Sequence, residues 1–257
     1  MNFQHITEQV LHNWFSASTL ADPQLQSVID CGNFERKIPN FSEVCLQLFR
    51  VENLYHSYSM SNLIEQMDYP AHIGHRTLEL LVRKLGRIPN FGVEVGSFVG
   101  SSASVLGGIM KQNHGVLLCV DTWCGDINMW LMNRFSSTML KADGNPKIFH
   151  RFMSNMIKSG LTETVVPLRV SSVVAARMLK VLNWQIDFVY LDSAHECGET
   201  FLETMLYYDI LRQGGCLFGD DYNGFPAVKH DLDLFCKVAD CQLHFTGDGD
   251  TWIIQKT

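Results

Sequence analysis

The chain has 257 residues, 46% hydrophobic and 18% charged, with 19 Gly and only 7 Pro. That length allows one large or two small domains with a sizeable core, and the composition excludes low-complexity, collagen-like and strongly disordered chains. Lys and Arg total 20 against 27 Asp and Glu, a formal net charge of -7, which argues against a nucleic-acid partner and against an anionic membrane surface.

Residues 1 to about 88 show no period of two. Ile6, Val10, Leu11 and Trp14 have helical spacing, as do Val44, Leu48 and Val51 more loosely. Polar turns fall at Asp22-Pro23 and Pro39-Asn40. Leu78, Leu81, Val82 and Leu85 form one apolar stripe, which predicts a helix over about 73–85. The pattern then changes to alternating strands and helices. Strands are predicted at 91–96, 116–121, 165–168, 186–192 and 215–220, each a near-continuous apolar run. Helices are predicted between and after them, at 101–110, 146–158, 173–182, 200–211 and 228–238. Such strands belong in a parallel sheet covered on both faces. Residues 242–245 and 251–255 flank a Gly/Asp turn and read as an antiparallel hairpin that closes the sheet. The expected architecture is α/β: a Rossmann-like, doubly wound, mostly parallel sheet, a C-terminal antiparallel hairpin and an N-terminal helical addition.

Eight cysteines stand at 31, 45, 119, 124, 197, 216, 236 and 241. No CxxC occurs, and a chain of this size needs no staples, so all are expected to be reduced thiols. The start, Met1-Asn2-Phe3-Gln4-His5, has no basic region followed by an apolar one, and no stretch approaches bilayer-spanning length. The expectation is a soluble cytoplasmic protein with no membrane partner.

Ligands of such sheets bind at the carboxyl ends of the strands. Glu94-Val95-Gly96-Ser97-Phe98-Val99-Gly100-Ser101-Ser102 is a strand–turn–helix glycine loop. Gly96 permits a tight turn, and Gly100 permits close approach of a ligand to the next helix. No Lys follows in P-loop spacing, and Phe98 breaks the dinucleotide pattern GxGxxG. Asp121 closes the next strand, where an acid either accepts hydrogen bonds from ribose hydroxyls or simply caps a helix.

The most informative segments are Leu191-Asp192-Ser193-Ala194-His195 and Gly219-Asp220-Asp221-Tyr222. Asp192 and Asp220 are 28 residues apart, one crossover helix plus a strand, so adjacent parallel strands bring them to one edge. With Asp221 they make three carboxylates that repel one another unless a cation lies among them. Oxygen ligands favour Mg2+, and no His/Cys set has zinc spacing. His195, three residues past Asp192, is placed to act as general base toward a chelated hydroxyl. The competing readings are a helix cap at Asp192, a solvated turn at Asp220-Asp221 and a structural histidine at 195.

The run Glu94-x-Gly96-x-x-x-Gly100 resembles motif I of the class I S-adenosylmethionine-dependent methyltransferases. Val120-Asp121-Thr122-Trp123-Cys124-Gly125-Asp126, Asp192-x-x-His195, Asp220-Asp221-Tyr222 and Phe225-Pro226-Ala227-Val228 resemble one subgroup. These are the metal-dependent sugar O-methyltransferases of macrolide and aminocoumarin biosynthesis and the related cephalosporin-hydroxylase-like proteins. The resemblance implies cofactor contacts from Glu94, Gly96, Ser97, Gly100 and Ser101, from Asp121, Thr122 and Trp123, and from Ser171 and Ser172. It places Trp123 at the adenine, unless it is a core tryptophan. It implies Mg2+ on Asp192, Asp220 and Asp221, with Asp192 and His195 catalytic. Catechol-type relatives use Lys where His195 stands and Asp-Asn where Asp220-Asp221 stands. The departure favours an aliphatic or sugar hydroxyl.

The resemblance covers about residues 91–257. Residues 1–88 are therefore expected to form a helical extension or acceptor-side cap, and 89–257 the S-adenosylmethionine-binding domain. Tyr55, His56, Tyr58, Met60, Tyr69 and His72 are candidates for a lid or acceptor wall, or equally for core positions. The expected partner is a small-molecule hydroxyl acceptor. The family type is compatible with a homodimer, though no surface for one stands out. An NAD-type oxidoreductase shares the sheet and Asp121 but has no use for the carboxylate cluster. A cofactor-binding protein of the methyltransferase fold without methyl transfer is the other alternative.

Overall fold

The computed structural model describes residues 34–58, 63, 69–71, 73–193, 195–246 and 250–257. The helical positions predicted among residues 6–14, the turn at Asp22-Pro23, Cys31, Met60, His72, Ala194 and the turn at 247–249 lie outside these residues.

Helices α1 (Phe41–Phe49), α2 (Leu54–Ser57) and α3 (His75–Leu85) precede the sheet. A reciprocal cap starts α1: the Asn40 side chain accepts from Glu43 N, and the Glu43 carboxylate accepts from Asn40 N. The chain continues through β1 (Phe91–Val95), α4 (Ser101–Lys111) and β2 (Val116–Asp121). Next come the short helices α5 (Ile127–Leu131) and α6 (Ser136–Met139), then a small hairpin of β3 (Lys141–Ala142) and β4 (Asn145–Pro146). Then follow α7 (Ile148–Lys158), β5 (Val165–Arg169), α8 (Ser172–Leu182) and β6 (Ile186–Leu191). The chain ends with α9 (Glu199–Ile210), β7 (Leu211–Gly219), α10 (Pro226–Ala239), β8 (His244–Phe245) and β9 (Trp252–Gln255).

Seven strands form one sheet in the order β5-β2-β1-β6-β7-β9-β8. The first five are parallel; β9 is antiparallel to β7, and β8 to β9. This is the Rossmann-like, mostly parallel sheet with a C-terminal antiparallel hairpin that the alternation predicts. The strand order reverses between β1 and β6, and a crevice opens at their carboxyl ends.

The strands read as apolar runs because both faces are covered. On β2, Val116, Leu118 and Val120 point into one core with α8, α9 and α10, while Leu117 and Cys119 point into the other with α3, α4 and α7. The described part of residues 34–88 contributes to both: Val44 and Cys45 of α1 to the first, Leu81 and Leu85 of α3 to the second.

At the amino end of β6, Asp187 is fully buried and saturated. It accepts from Arg87 Nη2 (2.6 Å), Arg212 Nε (2.5 Å), Asn90 N (2.7 Å) and Phe91 N (3.3 Å). The region from α5 to β4 is not predicted by sequence pattern. Its elements are too short to show a period, and its apolar residues do not keep to one face: Leu131 is 76% exposed whereas Met139 is buried. No described helix is long and apolar enough to cross a membrane. The seven described cysteines are free thiols.

Candidate functional site

The crevice is a cavity of about 870 Å³, running from the glycine loop across the ends of β2 and β6 to the Asp220-Asp221 turn. Strand register sets its floor. Val95 pairs with Leu191, and Leu191 with Gly219, so Gly96, Asp192 and Asp220 leave three neighbouring strands side by side.

Gly96 sits at φ 90°, and an added Cβ would fall 2.0 Å from the Asp192 carbonyl oxygen. Only glycine allows β1 to turn away this close to the end of β6. Gly100 is also left-handed, but an added Cβ would meet Met156 Cε at 2.6 Å and Phe152 Cδ2 at 3.0 Å. Its close approach in this structure is to α7, and it is not among the residues that line the cavity.

Asp121 organises the loops at the cavity wall. Its two carboxylate oxygens accept from Phe98 N (2.8 Å) and Trp123 N (2.6 Å), two residues that both have left-handed backbones. Trp123 Nε1 closes the bracket by donating to the Phe98 carbonyl at 2.7 Å. The Trp123 indole is fully buried, with ring centroids 5.0 Å from those of both Phe149 and Phe152. It braces the loop from the core side of the wall. Burial raises the pKa of Asp121, with the Trp123 and Phe98 amides pulling against it.

Glu94 lies behind the wall rather than in it. The period of two turns it toward α4, where it is fully buried and accepts from Cys119 Sγ at 3.3 Å. Burial raises its pKa. Glu94 Oε1 and Ser97 Oγ are both buried, and the Ser102 and Ser97 hydroxyls beside Glu94 pull its pKa down against that burial. Gly96, Ser97, Ser101, Asp121, Thr122, Trp123, Ser171 and Ser172 all line the cavity. Ser171 also caps α8, its side chain accepting from Val174 N.

At the other end, donor atoms of Asp192, His195 and Asp221 lie within 4.8 Å of one another. His195 Nε2 is 2.8 Å from Asp221 Oδ2, and its ring stacks on Phe225 with centroids 4.1 Å apart. Tyr190 donates to Asp192 Oδ2 at 3.3 Å. Burial, then the charges of Asp221 and Asp220, push Asp192 up to about 7. Burial alone would lower the pKa of His195, but the hydrogen bond to Asp221 and the charges of Asp221, Asp192 and Glu196 outweigh it, and the net shift is upward.

The set expected from sequence differs in one member. Asp220 lines the cavity but is not in the three-residue cluster, and His195 is. The cause is local: Asp221 adopts φ 68°, which turns its side chain to the His195 side instead of continuing the strand alternation. Trp252 Nε1 donates to the Asp220 carbonyl at 3.0 Å and fixes the turn from β9.

The cavity is also lined by Tyr69, one of the lid candidates, and by residues after β2 that the sequence pattern does not mark. Tyr69 reaches the cavity from the N-terminal region and meets the Phe98 ring edge-on at 5.4 Å. Ile127, Met129, Arg134 and Phe135 come from the region after β2. A capping pattern could have marked that region, since Asp126 accepts from Met129 N at 2.7 Å. Of the lid candidates, Tyr55 is buried with its hydroxyl on the Val165 carbonyl, Tyr58 bonds His150, and His56 is exposed.

A family model described as a methyltransferase domain matches residues 93–222, just over half of the chain. The chain belongs to this methyltransferase family. Among solved structures, the calicheamicin methyltransferase CalS11 has a TM-score of 0.52 at 13% identity, over 70% of this chain and 77% of that one. An apo structure of CalS11, described as a TDP-rhamnose 3'-O-methyltransferase, has a TM-score of 0.50 at 13% identity over 91% and 92%. An O-methyltransferase from Bacillus cereus in complex with S-adenosylhomocysteine has a TM-score of 0.48 at 15% identity over 90% and 94%. No curated protein matches the sequence. The fold is that of the class I S-adenosylmethionine-dependent methyltransferases, and the chain is a methyltransferase-family enzyme.

Proposed function

We propose that this methyltransferase transfers a methyl group from S-adenosylmethionine to a hydroxyl of a small polyhydroxylated or sugar-like molecule, with Mg2+ bound at Asp192 and Asp221. The observation that carries the reading is the Asp192–His195–Asp221 cluster at the end of a cavity that starts on the glycine loop. Its two carboxylates suit a hard divalent cation, and its imidazole stands beside them as a base. Burial first, and the charges of Asp221 and Asp220 next, disfavour the ionised form of Asp192, and a cation among the carboxylates would offset both. The cofactor end fits as well: Asp121 keeps lone pairs beyond the two amides it serves, and Ser97 lines the cavity beside it.

Asp192 and Asp221 would hold a divalent cation that would make a substrate hydroxyl more acidic, and S-adenosylmethionine would supply the methyl group. His195 donates Nε2–H to Asp221, which leaves Nδ1 to accept the hydroxyl proton. Phe225 fixes the plane of the ring by stacking. Tyr190 orients Asp192, and Asp220 adds negative charge behind the cluster. Asp121 holds the ribose. The protein's contribution is proximity and orientation, with no covalent intermediate.

The acceptor class rests on the acid-rich wall. Glu196, Glu199 and Glu203 line the cavity beside the cluster and can accept hydrogen bonds from several hydroxyls. CalS11, similar in fold, is by its description an enzyme acting on a sugar nucleotide. Tyr69 over the glycine loop supports an acceptor-side cap contributed by residues 1–88.

Thermal-shift titration with S-adenosylmethionine, S-adenosylhomocysteine and NAD, each with and without Mg2+, tests the reading. Stabilisation by the first two alone is expected. Stabilisation by NAD instead, or methyl transfer unchanged by chelator, overturns it.

A further inference from the structure

A second group of metal-ligand side chains lies outside the cavity. Donor atoms of Cys197, His230 and Asp231 all fall within 4.8 Å of one another. None of the three lines the cavity. Cys197 precedes α9, while His230 and Asp231 are adjacent on α10. The geometry points to a binding site here for a zinc-class divalent ion, of different chemistry from the cavity cluster and independent of the proposed methyl transfer.

The donors divide into a fixed part and an adjustable part. Asp231 is buried, and its Oδ2 is held by Gly198 N (2.7 Å) and Phe201 N (3.2 Å) at the start of α9. Its Oδ1 faces His230 Nδ1 at 3.1 Å. Cys197 and His230 are exposed side chains that can rotate toward it. Tetrahedral zinc, with bonds of about 2.0–2.3 Å, places its ligands roughly 3.3–3.8 Å apart. Closing the present cluster takes about 1 Å of side-chain movement around a carboxylate that stays still.

Ligand type sets the ion. A thiolate, an imidazole and one carboxylate suit Zn2+ or Co2+ and not Mg2+, whose preferred ligands are oxygens. Binding releases the thiol proton to solvent and leaves a fourth position for water. The site would also tie the turn before α9 to α10. His195 lies two residues before Cys197, and Phe225, on which it stacks, immediately precedes α10. An ion on Cys197, His230 and Asp231 therefore braces the segment that carries His195.

Co2+ reports on this directly, because thiolate ligation produces an intense near-ultraviolet charge-transfer band that oxygen and nitrogen ligands do not. The reduced full chain, with Mg2+ in excess to fill the cavity site, is titrated with Co2+. One equivalent is expected to develop the band. Cys197→Ser should abolish it with the metal-free Tm unchanged, whereas Cys124→Ser, at the other exposed cysteine among the described residues, should keep it. His230→Ala should weaken Co2+ binding roughly tenfold or more, since even outer-shell partners of a metal are worth about 10–100-fold. Asp192→Asn should leave the band intact. No band in the wild type, a band that survives Cys197→Ser, an affinity unmoved by His230→Ala or a band lost with Asp192→Asn each overturns the assignment.

Discussion

Strand β6 carries an aspartate near each end, and the two are treated in opposite ways. Asp187, at the amino end, is surrounded by two guanidinium groups and two backbone amides. Asp192, at the carboxyl end, has one tyrosine hydroxyl and two neighbouring carboxylates, and its pKa is pushed up to about 7. The same residue type on the same strand thus serves as a saturated structural bracket in one place and an under-compensated ligand in the other. The sheet confines its destabilised charge to the end where the cavity opens.

Removing the bracket should have the largest effect on stability. Asp187→Ala strands Arg212, whose side chain is only 18% exposed, along with the Asn90 and Phe91 amides. Breaking a buried pair in this way costs about 3–5 kcal/mol. Urea denaturation should show the loss as a lower midpoint at unchanged slope. A loss below about 1 kcal/mol would mean that the bracket is an ordinary surface pair.

At the other end the sign reverses. Asp192→Asn removes a carboxylate crowded by Asp220 and Asp221, so the metal-free protein should melt at a higher temperature than wild type. Methyl transfer should fall by about 10²-fold or more, the scale for losing a charge-stabilising group. A variant that is both less stable and fully active would erase the contrast between the two ends.

The contrast was legible in the sequence only in part. Asp192, Asp220 and Asp221 stand where apolar runs stop, so strand periodicity alone brings them to one edge. Which member of the Asp220-Asp221 pair turns toward His195 depends on a left-handed φ at Asp221, and nothing in the local sequence dictates it. Gly100 reads as a ligand-contact glycine, yet its neighbours are Phe152 and Met156, more than fifty residues away. Glu94 reads as a cofactor residue, although alternation along β1 already turns it toward Cys119. The Asp187 bracket has no signature in the sequence, because an acid inside an apolar strand has no local partner and both arginines are distant along the chain. The parallel sheet was readable because strands such as β1, β2 and β6 are buried on both faces and have to be apolar throughout, and the hairpin because a Gly/Asp turn separates its strands.

The carboxyl end of β6 also responds to pH. The ionised form of Asp192 is disfavoured in the native state relative to an unfolded pKa of about 3.9. Its proton-linked stabilisation is complete below about pH 4 and is lost as pH rises through about 7. His195 acts in the same direction: its contribution is complete below about 6.5 and disappears above its raised native value. The metal-free protein should therefore gain Tm as pH falls from about 8 to about 6. Asp192→Asn, or saturating Mg2+, should flatten that slope. A Tm that rises with pH over this window would contradict the assigned shift.

Phe225→Leu should give the smallest effect and the finest test. The ring contacts the His195 imidazole at 4.1 Å with 19° between planes, and it is only partly covered. A stacked pair of this kind is worth about 0.5–1.5 kcal/mol beyond its area. Loss of the ring leaves the His195–Asp221 hydrogen bond in place but frees the imidazole to tilt. Turnover should drop roughly three- to tenfold, in line with that energy. Mg2+ affinity and S-adenosylmethionine affinity should stay within about twofold, because no ligand atom changes. A parallel loss of Mg2+ affinity would show that His195 serves as a metal ligand, with Phe225 holding it against the cation. An unchanged turnover would show that Asp221 alone fixes the imidazole. In either case the division of labour at the carboxyl end of β6 would have to be redrawn around Asp221.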